Sequence, residues 1–214
     1  MSTSKMLLAG IISILPINAL RLAGYRLLGY RIRASSIGFG TLIAVDSAHL
    51  DRCRLGWFNL LVGPMTVRIE EAASIGHRNT FACGAWTQQE QYRTSGYARS
   101  LTLGRESLIT SRHYFDLAGS FVLGARSWIA GVDSQFWTHG AGVRDRDIEI
   151  GKDCYLGSAV RFAPGSSVGD KVVVAMGSVV TRRFPETHAL IGGVPAVVLK
   201  TEYDWQREER ALAA

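Results

Sequence analysis

The stretch Ile150–Thr181, IGKDCYLGSAVRFAPGSSVGDKVVVAMGSVVT, decides the fold of this 214-residue chain. Every sixth residue in it is apolar, and the residue that follows is small in nearly every case. The apolar positions are Ile150, Leu156, Phe162, Val168, Val174 and Val180. A helix repeats every 3.6 residues and a half-buried strand every two, so neither produces a clean period of six. A six-residue repeat is typical of a hexapeptide β-helix, in which each repeat forms one short strand and one turn.

Pairs of an aliphatic residue and a glycine extend this pattern toward the N-terminus. They begin at Ile37, Leu55, Ile75, Leu103, Leu123, Ile150 and Val168, with successive spacings of 18, 20, 28, 20, 27 and 18. Eighteen residues make three repeats, so each interval reads as one three-sided coil plus an excess. We therefore predict an all-β fold, a parallel β-helix of about seven coils over residues 35–200, with excursions at 88–100 and 136–147.

Residues 1–34 differ in character and predict a helical N-terminal segment. The apolar run over residues 6–15 is shorter than the roughly 20 residues that cross a bilayer. Beyond Pro16 the pattern becomes amphipathic, with Leu20, Ala23, Leu27 and Leu28 on one face. This segment has two interpretations. Its apolar face packs on the end of the β-helix, or it lies on an anionic membrane surface with the help of Arg21, Arg26, Arg31 and Arg33.

The composition indicates an ordinary globular protein with an anionic partner. Hydrophobic residues make up 47% and charged residues 20%, and the net charge is +6. Such a charge favours a phosphorylated ligand or an acidic surface. No helix-turn-helix, zinc-finger or aromatic ribonucleoprotein motif is present, so a nucleic-acid partner is not expected. Cys53, Cys83 and Cys154 lack metal-site spacing and fit a reducing, cytoplasmic compartment.

The region from Ile150 to Lys200 resembles the C-terminal half of the hexapeptide-repeat acyltransferases. The run VAMGSVVTR at residues 174–182 and the run GGVPA at residues 192–196 carry the resemblance. More narrowly, the sequence is similar to sugar and polysaccharide O-acetyltransferases. The resemblance implies a left-handed β-helix, a homotrimer with active sites between subunits, and acetyl transfer from acetyl-CoA to a sugar hydroxyl. A short C-terminal helical cap is expected over residues 201–214, because the open ends of solenoids need covering.

His139 is the expected general base, because family members use one loop histidine to deprotonate the acceptor. It stands in FWTHG, at the start of the second excursion. The repeat phase places His113 and Asp133 at the fifth positions of repeats that start 20 residues apart, so we expect them to stack on one face. They form either a satisfied buried pair or a flank of the active site, in which Asp133 orients His139.

The resemblance also assigns residues to the acyl donor. It places backbone contacts to the pantetheine arm at Gly157, Ser158 and Met176, and an aromatic neighbour at Tyr155. Thr181 and Arg182 fall where the family binds the nucleotide end, and Lys200 falls where a basic residue meets phosphate. For the acceptor, Trp86, Trp128 and Trp137 are candidates for a platform that stacks on a sugar ring.

Three alternatives stay open from the sequence. A β-helix that has lost the acyl site would be a binding scaffold, and an N-acyltransferase would modify an amino sugar instead. A carbonic anhydrase of the γ type shares this fold but needs three histidines around zinc. His49, His77, His113, His139 and His188 are scattered without a close pair, so no metal site is expected.

Overall fold

The structure is a computed structural model that describes residues 3–207. Two helices, α1 (Thr3–Ser13) and α2 (Asn18–Leu27), precede a parallel β-helix with three faces. Hydrophobic side chains at the repeat positions point inward and form one continuous core along the axis. The all-β fold with a parallel β-helix and few short helices is therefore confirmed.

Face one consists of eight parallel strands within residues 3–207, one for each turn of the solenoid. These strands are β2 (Ser36–Ile37), β4 (Arg54–Leu55), β6 (Ser74–Ile75), β9 (Leu108–Ser111), β12 (Trp128–Val132), β15 (Tyr155–Leu156), β18 (Val172–Val174) and β21 (Ala189–Gly193). The last of them also pairs with the antiparallel strand β22 (Ala196–Lys200).

Faces two and three share a larger sheet because two long strands, β3 (Leu42–Asp51) and β5 (Leu60–Ile69), run through the corner between them. Face two continues with β7 (Thr80–Ala82), β10 (Tyr114–Asp116), β13 (Gln135–Trp137), β16 (Arg161–Phe162) and β19 (Val179–Val180). Face three contains β1 (Arg31–Arg33), β8 (Ser100–Leu103), β11 (Ser120–Leu123), β14 (Ile148–Ile150), β17 (Ser167–Val168) and β20 (Arg183–Phe184). We call the corner between faces one and two the first corner, and the corner between faces two and three the second corner.

The β-helix has eight turns within residues 3–207, whereas the aliphatic–glycine pairs predicted about seven. Ile75 lies on face one, whereas Leu103 lies on face three, so the pairs change face within one interval. The strand that stacks on Ile75 is that of Ile109, where threonine follows the aliphatic residue instead of glycine.

A column of phenylalanines fills the core behind face two. Phe81, Phe115 and Phe136 stack nearly parallel, with centroids 4.5 and 4.7 Å apart, and Phe162 continues the column at 5.2 Å. These distances follow the spacing of paired strands, about 4.8 Å. The column holds the strands of face two in register up to the residues of the second corner.

The two N-terminal helices cover the open end of the first turn. Tyr25 and Tyr30 are buried, and their hydroxyls bond the edge of β3: Tyr25 donates to the Thr41 carbonyl at 2.8 Å and accepts from the Ile43 amide. Tyr30 bonds both backbone groups of Val45 in the same way. These side chains replace the strand that the edge lacks.

The segment after β22 runs back along the outside of face one. Residues 205–207 are helical, and the indole of Trp205 donates to the Asp153 carbonyl at 2.8 Å. The predicted helical end cap over residues 201–214 is therefore not what the described residues form, because residues 201–204 are not helical and Trp205 packs on face one; residues 208–214 lie outside the described residues.

Two loops leave the solenoid at the second corner. Loop A (residues 83–99) connects β7 to β8 and contains two short 3-10 helices, Ala85–Gln88 and Glu90–Tyr92. Loop B (residues 138–147) connects β13 to β14. Between them lies the turn of β10 and β11, whose corner is only residues 117–119. Both loops therefore approach one spot, the end of β10.

Candidate active site

A histidine and a carboxylate meet at this spot. His139 Nδ1 lies 2.7 Å from Asp116 Oδ2. Asp116 ends β10 and His139 follows β13, and these strands are neighbours on face two, with Asp116 opposite Trp137. The carboxylate is 8% exposed and the imidazole 41% exposed. A buried carboxylate that accepts from Nδ1–H leaves Nε2 as the basic nitrogen of the neutral ring, on a side chain that solvent reaches.

Thr138 fixes the carboxylate in this position. Its amide donates to Asp116 Oδ2 at 3.1 Å, and its hydroxyl donates to the Asp116 carbonyl at 2.8 Å. The same hydroxyl accepts from the amide of Gly119 at 2.8 Å. Thr138 is fully buried, so this network holds the two strand ends together and orients the acid before any ligand arrives.

Loop A supplies an aromatic wall beside the histidine. The ring of Trp86 lies 5.3 Å from the ring of His139, measured between centroids. Tyr92 and Tyr97 both pack edge-on against Trp86 at 5.2 Å. An apolar wall of this kind restricts the imidazole and offers ring faces to a ligand.

Arg146 ties loop B to loop A. Its guanidinium donates to the Ser95 carbonyl at 3.1 Å and lies 4.2 Å from the centroid of the Tyr97 ring. It also donates to the Val143 carbonyl within its own loop. The two loops therefore form one wall around His139.

The sequence-based pairing of His113 with Asp133 is wrong in its register. His113 is buried, but Asp133 is an exposed corner residue that pairs with Arg112 at 3.2 Å. The reason is a β-bulge between Ile129 and Val132, which adds one residue to that turn. Ser134 consequently occupies the position that stacks on His113.

His113 belongs to a ladder of buried polar side chains at this inner corner. His113 Nδ1 accepts the amide of Ser134 at 3.1 Å, and Asn79 Oδ1 accepts the amide of His113 at 2.9 Å. Asn59 Oδ1 accepts the amide of Asn79 in the same way. Burial lowers the pKa of His113 to about 4, so the ring is neutral near pH 7. His113 thus links successive turns and lies in the wall, and Asp133 does not contact His139.

The residues predicted to bind the acyl donor fall into separate groups within one chain. Ser158 and Met176 stack at the first corner, where the Gly177 amide donates to the Ser158 carbonyl and Met176 is 75% exposed. A Cβ on Gly157 would lie 2.8 Å from the Met176 backbone nitrogen, so only glycine allows this close approach of the next turn.

Thr181 and Arg182 lie instead at the second corner, on the His139 side. Val180 stacks on Phe162, and Phe162 stacks on Phe136, so Thr181 is two turns beyond Trp137, about 10 Å along the axis. The Arg182 guanidinium lies over the Phe184 ring at 4.0 Å.

Tyr155 and Lys200 form the third group, on face one. Tyr155 packs against Trp205 at 5.5 Å on the outer surface. Lys200 is in β22, with its ammonium 5.5 Å from the Tyr203 ring. A single chain therefore does not bring the predicted donor residues together.

Within residues 3–207, no group of three or more His, Cys, Asp or Glu side chains is arranged to hold a metal ion. The thiols of Cys53, Cys83 and Cys154 are buried, and burial raises the pKa of each of them. They pack as small apolar side chains.

Sequence reasoning missed Asp116 and the contact of Trp86 with His139. Asp116 is 23 residues from His139, and a signal for it exists only once the strands of face two are aligned. The stacked phenylalanines at 115 and 136 give that alignment, because each directly precedes the Asp116 and Trp137 pair. Trp86 was among the candidate platform residues, whereas Trp128 lies on face one, against Trp205.

The fold is a β-helix built on a six-residue repeat, and the resemblance to the hexapeptide-repeat acyltransferases is confirmed. Residues 147–182 match the family model described as the hexapeptide repeat of succinyl-transferase. The chain is 32% identical over 103 residues to the putative lipopolysaccharide biosynthesis O-acetyl transferase WbbJ of Escherichia coli (strain K12). This match covers 47% of the chain and 50% of WbbJ, so it spans about half the length of that relative.

Solved structures extend the likeness to most of the fold. The polysialic acid O-acetyltransferase OatWY superposes with a TM-score of 0.56 at 15% identity, covering 82% of this chain and 86% of that one. The hexapeptide-repeat acetyltransferase VCA0836 from Vibrio cholerae O1 biovar eltor, complexed with acetyl coenzyme A, superposes with a TM-score of 0.51 at 19% identity. It covers 92% of this chain and 87% of that one. The expected left-handed parallel β-helix is confirmed by these superpositions.

Proposed function

We propose that this protein is an acetyl-CoA-dependent O-acetyltransferase that acts on a hydroxyl of a sugar or of a surface-polysaccharide precursor. The observation that carries the proposal is the Asp116–His139 pair at the second corner, with Nδ1 bonded to the carboxylate and the ring walled by loop A. The names of WbbJ and OatWY, which are both O-acetyltransferases of glycans, support the acceptor class.

In the proposed reaction, His139 Nε2 removes the proton from the acceptor hydroxyl. The oxygen attacks the thioester carbonyl of acetyl-CoA, the C–S bond breaks, and the thiolate of coenzyme A leaves. The imidazolium then returns its proton to that thiolate. Asp116 stabilises the imidazolium and keeps the ring in the reactive tautomer, and general-base catalysis of this kind contributes about 10²- to 10⁴-fold.

The donor residues support a site shared between subunits. His139, Thr181 and Arg182 lie at the second corner, whereas Ser158 and Met176 lie at the first corner. In the proposed homotrimer, the first corner of one subunit faces the second corner of the next, and the acyl donor lies between them. The expected solution mass is three times the 23.4 kDa of the chain.

The aromatic wall supports a ring-shaped acceptor beside His139. Trp86, Tyr92 and Tyr97 gather there, and stacking of their faces on a pyranose ring would position one hydroxyl against Nε2. A cytoplasmic location is part of the proposal, supported by three unpaired, buried thiols that suit a reducing compartment.

The test is acetyl transfer measured as release of free coenzyme A with a panel of glycans and amino sugars, comparing the wild type with His139→Ala. We expect acceptor-dependent release that His139→Ala lowers at least 10²-fold, with the melting temperature and coenzyme A binding unchanged. His188→Ala is the matched control, because His188 lies at the last turn of the solenoid. Full activity of His139→Ala would refute the mechanism. If the wild type did not bind coenzyme A, the scaffold alternative would be favoured. Transfer to amino sugars alone would favour the N-acyltransferase alternative, because the product would then be an amide.

A further inference from the structure

Helix α1 exposes its large apolar residues, whereas a helix that only covers a core would bury them. Its contact side consists of Ala9, Ile12 and Ser13, which are buried. Its outer side carries Met6, Leu7, Leu8, Ile11 and Ile14, which are 44–67% exposed. A surface helix of a globular protein normally turns its large apolar residues inward.

Helix α2 also exposes part of its apolar surface. Of the predicted apolar face, Leu20, Ala23 and Leu27 point outward, with Leu27 87% exposed, whereas Leu28 packs against the core, as does Leu22. The buried positions are Tyr25 and, unusually, Arg21, whose Nε donates to the Ile37 carbonyl at 2.8 Å. The arginine bonds the edge of β2, and Leu20 and Leu27 are left outside.

The connection between the helices extends this surface, because Ile17 is also 59% exposed. We call the exposed residues Leu7, Ile11, Ile14, Ile17, Leu20 and Leu27 the apolar stripe. Exposed patches of this kind mark a binding surface for an apolar partner.

The charge near the stripe is mainly positive. The first 45 residues contain Lys5, Arg21, Arg26, Arg31 and Arg33 and no aspartate or glutamate, so they carry +5 of the net +6 of the chain. Arg26, Arg31 and Arg33 are exposed, with Asp51 3.7 Å from Arg33 Nε, and Asp46 lies beside Lys5, which donates to the Asp46 carbonyl at 3.2 Å. An apolar stripe flanked by more basic than acidic residues matches a surface of anionic lipid headgroups over acyl chains.

The dimensions suit a helix that lies in the interface. Among residues 3–207, no helix is long and apolar enough to span a bilayer. With 11 residues, α1 is about 16 Å long, roughly half of the hydrocarbon thickness.

We propose that α1 and α2 form a membrane-docking cap that inserts the apolar stripe into an anionic lipid surface. The cap has two functions in this proposal: its inner side bonds the edge of the first turn, and its outer side binds lipid. The solenoid is then held at the membrane by its N-terminal end, with the second-corner loops several turns away from it.

The test is co-sedimentation of the full chain with vesicles of phosphatidylcholine, alone or with one quarter phosphatidylglycerol. We expect binding to the anionic vesicles that weakens as salt rises, because the charges are exposed. The triple variant Ile11→Gln/Ile14→Gln/Leu27→Gln should bind at least about tenfold more weakly, and Arg31→Gln/Arg33→Gln should also lose about tenfold. The matched control is Val194→Gln/Val197→Gln/Leu199→Gln, which removes three exposed apolar residues at the opposite end.

The control should bind vesicles like the wild type, and every variant should keep the melting temperature and native mass of the wild type. Equal binding of the triple variant, or no binding of the wild type to anionic vesicles at low salt, would overturn the proposal. A triple variant that dissociates to a smaller particle would also overturn it, because the stripe would then be a contact between copies of this chain.

Discussion

The indole of Trp86 lies against the imidazole of His139, with ring centroids 5.3 Å apart, although the two residues come from different loops. The contact forms because loops A and B leave the solenoid at the same corner, on either side of one short turn. Trp86 therefore both limits the rotation of His139 and borders the space in front of it.

Trp86→Ala should raise the KM for the glycan acceptor by about tenfold while changing the KM for acetyl-CoA little. The reason is that aromatic stacking contributes roughly 1 kcal/mol beyond buried area, and the donor residues lie elsewhere. Trp86→Phe should recover most of the loss. Steady-state kinetics with each substrate varied in turn measures both constants. Trp128→Ala is the control, since Trp128 packs on face one, and an equal effect of both alanine variants would contradict the assignment.

Asp116→Asn should lower kcat by about 10²-fold or more and leave the KM for acetyl-CoA near its wild-type value. An amide can turn an N–H toward His139 Nδ1, which favours the tautomer with the proton on Nε2 and removes the basic nitrogen. The Thr138 amide bonds the same Oδ2 position and loses its acceptor in this orientation, but the Thr138 hydroxyl still donates to the carbonyl of residue 116, so the fold should persist.

Asp133→Asn is the matched control for this variant, because Asp133 is close to His139 in sequence but its carboxylate pairs with Arg112 and does not contact His139. It should keep wild-type kinetics. If Asp133→Asn had the lower kcat of the two variants, the proposal that Asp116 orients His139 would be refuted.

His113 should make the fold acid-sensitive. Its folded-state pKa of about 4 lies below the ordinary value of 6.5, because the ring is buried. Between pH 4 and 6.5 the unfolded chain therefore binds more protons than the folded chain. The contribution of His113 to the free energy of unfolding is fully present above pH 6.5 and is lost as the pH drops toward 4. The loss should approach about 3 kcal/mol, measured by urea unfolding at a series of pH values.

His113→Asn should remove this component of the pH dependence without breaking the ladder. Asparagine already occupies the equivalent positions 59 and 79, where its Oδ1 accepts the amide of the next turn and its Nδ2 donates to a carbonyl. A variant with the same slope between pH 4 and 6.5 would show that other groups cause the acid sensitivity.

Arg182→Ala should weaken the binding of coenzyme A. Wild-type protein with ligand at about 100 times the dissociation constant should gain roughly 2.7 kcal/mol, which is readily detected as a thermal shift. The variant should show a smaller shift at the same concentration, while Arg54→Ala, which removes an exposed arginine on face one near the N-terminal end of the solenoid, should match the wild type. Identical shifts for both variants would remove Arg182 from the donor site.

The repeat predicted the fold well because each repeat position is decided by local packing. An apolar residue every six positions, as at Leu156 and Val174, reports directly on the inward side of a turn. Around His49 the sequence shows no clear six-residue pattern, because β3 runs through the second corner as one strand and the hexapeptide turn is absent there. The coil count was low because none of the counted pairs falls in the last two turns, which begin at β18 and β21, whereas Ile75 and Leu103 mark the same turn twice.

The site was harder to predict because its geometry depends on register. His139 was predicted from its loop and the family resemblance, but the position of its partner follows from which residue of β10 lies opposite β13. One bulged residue near Gly131 shifted His113 from the expected Asp133 to Ser134, and no local pattern reports such an insertion. Loop A, which has no repeat, brings Trp86 to the site through tertiary contacts alone.

The corner insertions have a consequence for how this scaffold can be altered. Loops A and B begin and end at strand termini, and the strands on both sides keep the ladder that they would have with a three-residue corner, as at residues 117–119. The length and sequence of either loop are therefore decoupled from the pairing of the strands. Cys83 and Arg99 still belong to the solenoid, because Cys83 is buried in the core and the Arg99 amide donates to the Ala118 carbonyl. Exchanging residues 84–98 for a segment of another length would redraw the surroundings of His139 and leave the phenylalanine column untouched, so the acceptor preference of the proposed enzyme should be adjustable separately from its structural integrity.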